Sequence, residues 1–272
     1  MNRTLARAAA ALAFAAALAA PMAAQAHRQW MLPSSTVLSG DSPWITVDAA
    51  VSNDLFIFEH VPMRLDGIVI TGPDGKPAPY VNGHTGKYRS VFDVNLTLPG
   101  TYRVANVLDG LLVSYKLNGE QKRWRGPADQ MKANVPEGAT DVRASYNQRR
   151  VEFFVTAGAP NETALAPTGK GLEMQPITHP NDLFAGEEAS FRMLLDGKPA
   201  ADLEVTIAPG GVRYRDDRGE MTVKTDKDGV FKVTWPEPGF FWLEAGVRGG
   251  PSPVEGAERA AGYVVTLEVL KD

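Results

Sequence analysis

The chain has 272 residues, a formal net charge of −4 and no cysteine. A mildly acidic chain carries no electrostatic footprint for nucleic acid or an anionic membrane surface. Without cysteine there are no disulfides, so the fold must be held by its own hydrophobic core, which a chain of this length can build.

Residues 1–26 read as a secretory signal peptide. Arg3 and Arg7 form a positive start, Ala8 to Ala20 is an uncharged apolar run, Pro21 ends it, and Ala24-Gln25-Ala26 places small residues at the cleavage site. The run is shorter than the ~20 residues of a membrane-spanning helix. No later segment is long and apolar enough to span a membrane. The expected mature chain starts at His27, in the periplasm, and is more acidic once Arg3 and Arg7 are gone.

The mature part reads as β throughout. Trp44 to Val51 follows the turn cluster Ser39 to Pro43. Further strands are expected at Leu55 to Phe58, Leu65 to Thr71, Tyr88 to Leu98, Thr101 to Val107, Leu111 to Leu117 and Arg149 to Thr156. Pro127 to Ala144 is the one candidate for a short helix. Residues 158–170, rich in Pro, Gly and small polar side chains, read as a linker. A second series of strands follows between Leu172 and Leu270. The expected architecture is all-β: two β-sandwich domains, Ig-like or prealbumin-like, at residues 27–157 and 171–272.

The halves echo each other. Phe92 to Val104 and Phe231 to Leu243 align without gaps as F-x-V-x-apolar-x-x-P-G-x-aromatic-x-aliphatic. The pattern reads as two alternating strands around a Pro-Gly turn, a hairpin with its apolar positions facing one core. Asp-Gly-Lys-Pro-Ala also occurs twice, at Asp74 to Ala78 and Asp196 to Ala200. Its spacing to the repeated segment differs, which points to an insertion near Gly210 to Gly219.

Four histidines lie at positions 27, 60, 84 and 179. Cleavage after Ala26 gives His27 a free amine beside its imidazole. Those two nitrogens can chelate one ion, and a second histidine completes a T-shaped set of three nitrogens suited to copper and also acceptable to nickel or zinc. An α-amino group has an ordinary pKa of about 8, so a metal displaces its proton readily near neutrality. His60, expected at the end of the Leu55 to Phe58 strand, is the candidate second ligand. Glu59 beside it and His84, expected on a loop tip, are candidates to complete or orient the set. His179 sits in the turn-rich Thr178 to Asp182. Arg213 to Glu220 and Lys122 to Arg125 are dense in charge and read first as solvated surface. The motifs of serine hydrolases, zinc peptidases, P-loop proteins and dinucleotide enzymes are absent, so a non-enzyme is expected.

Three stretches resemble one family: Ala26 to Pro33, Thr168 to Leu183, and Leu195 to Ala200 with Thr225 to Gly229. Across most of the mature chain the sequence resembles the periplasmic family catalogued as domain of unknown function 4198, also described as a nickel- or cobalt-uptake-associated component. The resemblance implies an extracytoplasmic β-sandwich protein that handles a transition metal. The expectation is capture of Ni, Co or Cu and delivery to a membrane metal transporter. The rivals are a non-catalytic β-sandwich module that binds protein or glycan and a copper-dependent monooxygenase.

Overall fold

The computed structural model describes residues 27–272, so the signal-peptide segment lies outside the described residues. The fold is all-β, with nineteen strands among the described residues arranged in three sheets.

The first sheet holds β1 (Arg28–Pro33), β3 (Trp44–Ser52), β8 (Ser90–Asn95) and β7 (Val81–Thr85) in that order, with the two-residue β4 (Val61–Pro62) on β3. The second runs β16 (Met221–Lys224), β15 (Glu204–Pro209), β18 (Gly239–Arg248), β19 (Ala257–Val269), β11 (Thr140–Ala157), β9 (Gly100–Leu117), β5 (Ile68–Thr71) and β6 (Pro77–Ala78). To it are added β10 (Glu120–Gly126) on β9 and β2 (Val37–Leu38) on β11. The third holds β12 (Leu172–Pro176), β13 (Glu188–Leu195) and β14 (Lys198–Pro199), with β17 (Val230–Thr234) on β13.

The ten-stranded sheet is the common wall of the molecule. Its strands alternate apolar residues toward both faces, as a sheet buried on two sides must. One face packs on the first sheet, around Trp30, Phe92, Tyr102, Val104 and Phe153, and takes in Ala208, Trp242 and Val264 from later in the chain. The other packs on the third sheet, around Phe191, Trp235, Phe241, Tyr263 and Val265, and takes in Phe154. The parallel pair β11–β19 joins the halves, from Ala144 opposite Ala257 to Phe153 opposite Thr266. Each fully buried large apolar side chain contributes roughly 1.5–3 kcal/mol, which is how a cysteine-free chain of this size is held.

The repeated segments are not hairpins. β8 lies in the first sheet and β9 in the second, while β17 lies in the third and β18 again in the second. Each Pro-Gly turn is therefore an arch that carries the chain across a core. Phe92, Val94, Leu96, Tyr102 and Val104 face each other within one core. Phe231, Val233, Trp235, Phe241 and Leu243 do so within the other. Gly100 and Gly239, the equivalent turn residues, take φ of 129° and 137°, a region glycine adopts without strain. Asp-Gly-Lys-Pro-Ala does form hairpins, β5–β6 and β13–β14, closing Thr71 on Pro77 in one and Leu195 on Lys198 in the other.

Other local expectations shift. Leu55 to Phe58 is a turn, with Phe56 at φ 60° and Leu55 buried beneath it. Pro127 to Ala144 contains only a 3-10 turn at Ala128–Gln130 and one helical turn at Met131–Asn134 before β11 begins. The 158–170 segment is tied down: Ala164 and Leu165 are buried in a 3-10 turn, and the Glu173 carboxylate accepts from the amides of Thr168, Gly169 and Lys170.

Candidate metal centre

β3 runs between β1 and β4. Arg28 of β1 faces Ser52, and Val61 of β4 pairs with Val51. The residues just outside those two strands, His27 and His60, flank the point where β3 ends. Their rings stack, with centroids 3.9 Å apart and planes 4° from parallel. Both residues are exposed. Two of the four histidines, distant in sequence, thus share one end of the first sheet.

The turn that delivers His60 is fixed from below. Trp30 is fully buried and donates from Nε1 to the Ser52 hydroxyl at 2.7 Å, which in turn donates to the Asp54 carbonyl at 2.5 Å. Phe56 and Phe58 pack on the Trp30 ring at 5.4 and 5.6 Å between centroids, and the Arg89 guanidinium covers Phe58. The Glu59 carboxylate accepts from the amides of Asn53 at 2.8 Å and Asp54 at 2.9 Å. Those bonds, the Asp54 amide foremost, hold its carboxyl below the usual glutamate range. Glu59 is therefore the clasp of the turn, with one oxygen already committed, rather than a ligand placed toward the histidines.

His84 does not join them. It lies in exposed strand β7, not on a loop tip, opposite Val91, which pairs with Asp48. Asp48 is four residues along β3 from Ser52, roughly 13 Å at the rise of a strand, and β7 is two strands away from β3. His179 lies elsewhere, half-buried at the junction of the halves. Among the described residues no group of three or more His, Cys, Asp or Glu side chains is placed to hold a metal ion. The His27–His60 pair by itself supplies two imidazole donors.

A second wall comes from the segment after β15. Arg28 pairs with Glu220, Arg218 lies 3.7 Å from Asp54, and the Arg28 guanidinium stands over the Trp242 ring at 5.0 Å. Phe240 meets Phe56 edge-on at 6.5 Å, and a Cβ on Gly210 would sit 3.0 Å from the Phe56 ring. The charge-dense Arg213 to Glu220 segment is thus no simple solvated loop. Its C-terminal end docks on Arg28 of β1 and on the turn carrying His60, and Tyr214 is 86% exposed. The dense mixed charge of that segment is the sequence signal for this wall; its target, Arg28 and Asp54, left none.

Comparison with known proteins gives one family. The family model described as "Domain of unknown function (DUF4198)" matches residues 24–249. No curated protein matches. Among solved structures, the D0-D1 domain of Intimin is 15% identical, covering 88% of this chain and 97% of its own, with a TM-score of 0.22. The human OSCAR ligand-binding domain is 11% identical over 90% of this chain and 100% of its own, at 0.21. Escherichia coli alpha-2-macroglobulin activated by porcine elastase is 10% identical over 90% of this chain and 31% of its own, at 0.21.

Proposed function

The chain belongs to the DUF4198 family, and on that premise we propose that it is a periplasmic protein that binds a transition-metal ion through His27 and His60. The stacking of those two rings is the observation that carries the reading. Cleavage after Ala26 adds the His27 amine, giving two imidazoles and one amine. Such a nitrogen set favours Cu(II) over Ni(II) and Ni(II) over Co(II). A metal bonds imidazole nitrogen at about 2 Å, so two rings with centroids 3.9 Å apart are within reach of one ion. Both side chains are exposed, so no packing opposes the ring rotation that turns both nitrogens toward it. The ion is cargo in this reading, passed to a membrane transporter.

The test is calorimetric titration of Cu(II) and Ni(II) into protein beginning at His27 and into protein that retains Ala23 to Ala26 before it. The four added residues turn the His27 amine into an amide and place the new amine too far along the chain to chelate with the His27 ring, while every folded contact stays. Affinity is expected to fall at least about tenfold, or 1.4 kcal/mol. Equal affinity for both forms overturns the proposal.

A further inference from the structure

A cleft of about 750 Å³ opens on the ten-stranded sheet beside β1. That lies within the roughly 300–1,000 Å³ of small-molecule sites. Its floor follows from the register. Gly246 of β18 pairs with Gly262 of β19, which pairs with Arg149 of β11. Where the first sheet ends, the large sheet thus presents two side-chain-free positions side by side. The Arg149 side chain lies across one of them: a Cβ on Gly262 would sit 3.3 Å from its Nε.

The charges around this floor are sorted by side. Glu204 and Glu244 rise from β15 and β18, and Thr206 between them pairs with Glu244. Arg149 and Arg125 stand on the β11 and β10 side, with Arg248 at the far end of β18. One long ion pair joins the two groups. Arg149 and Glu244 stay 3.8 Å apart, beyond a hydrogen bond. Arg125, Arg248 and Glu204 make no ion pair among the described residues. Burial pushes the Glu244 carboxyl above its ordinary value, and the charges of Arg149 and Arg28 offset that only in part.

We propose that this cleft binds a short peptide with both termini free, its carboxylate on Arg149 and Arg125, its ammonium between Glu244 and Glu204, and its backbone flat on Gly246. A guanidinium matches a carboxylate with two parallel hydrogen bonds. The open space over Gly246 admits a peptide backbone that a Cβ would hold off. The volume leaves room for a few residues, not a folded partner. The cleft uses neither His27 nor His60, so it stands or falls apart from the metal site.

The test is titration of Ala-Ala-Ala into the protein beginning at His27, followed by heteronuclear NMR. Saturable shifts are expected at residues of β11, β18 and β19. N-acetylated or C-amidated peptide is expected to bind at least about tenfold more weakly. Gly246→Leu fills the floor; a Cβ there meets only the Ala261 carbonyl oxygen, at 3.7 Å, so the fold tolerates it. This variant is expected to melt like wild type and lose the peptide, while His60→Ala keeps it. No saturation by millimolar peptide, indifference to the blocked termini, or undiminished binding by Gly246→Leu overturns the proposal.

Discussion

At the scale of single residues, His27, Glu59 and His60 divide the labour. The histidines meet; the carboxylate holds the turn that makes them meet. His60→Ala is expected to weaken Cu(II) binding at least about tenfold with little change in thermal stability, because the ring is exposed. Glu59→Ala removes two hydrogen bonds to backbone amides, Asn53 and Asp54. It is expected to lower stability by about 1 kcal/mol and to leave Cu(II) affinity within a few-fold of wild type. A calorimetric titration beside a denaturation curve reads both. Loss of affinity in Glu59→Ala equal to that in His60→Ala would make Glu59 a ligand after all.

The two Pro-Gly arches define the scale of elements. Both turn glycines have φ near 130°, yet their surroundings differ. A Cβ on Gly100 would lie 2.4 Å from Pro73 Cβ and 3.0 Å from the Asn161 side-chain oxygen, whereas one on Gly239 would meet nothing within 4 Å. Gly239→Ala is expected to cost only the backbone strain, about 1–2 kcal/mol. Gly100→Ala is expected to cost clearly more, because packed atoms must move as well. Chemical denaturation of the two variants measures the difference; equal losses would contradict it. Strand character and the inward-facing residues of these segments were legible in the sequence, since alternation shows which side chains share a face. The partner strand was not. A hairpin and an arch have the same local pattern, and the choice is made by distant residues: β9 prefers β11, and β18 prefers β19. Leu55 to Phe58 misled for a related reason. Its apolar run is real, but Leu55, Phe56 and Phe58 pack around Trp30 from a turn. The histidine pairing was legible only as a candidate, because nothing between residues 27 and 60 states that β3 sits between their strands.

The whole molecule is joined through a polar chain at one end of the β9–β11 pair. The Asn181 amide donates to His179 Nδ1 at 3.2 Å, which leaves the proton on Nε2, 3.0 Å from the Thr101 hydroxyl. Thr101 meets Thr156 at 2.9 Å, and Thr156 donates to the Asn181 side chain at 2.9 Å. These bonds tie β9, β11 and the segment after β12 together around a neutral imidazole. Burial pushes the His179 pKa below its ordinary value near 6.5. The unfolded chain therefore takes up a proton that the native state refuses as pH drops below about 6.5, and stability falls with pH from there. His179→Gln is expected to flatten that part of the profile. Denaturation midpoints from pH 7 to pH 5 check it, and an unchanged slope in the variant would contradict it. The shared β11–β19 pair has a further consequence: each core borrows residues from the other half, so the chain is expected to unfold in one transition.

The central claim, a metal held by His27 and His60, is tested most directly by electron paramagnetic resonance of protein beginning at His27 with one equivalent of Cu(II). Hyperfine splitting from three nitrogens is expected, with one nitrogen lost in His60→Ala. A spectrum of aqueous copper, or one identical in wild type and His60→Ala, would contradict the account.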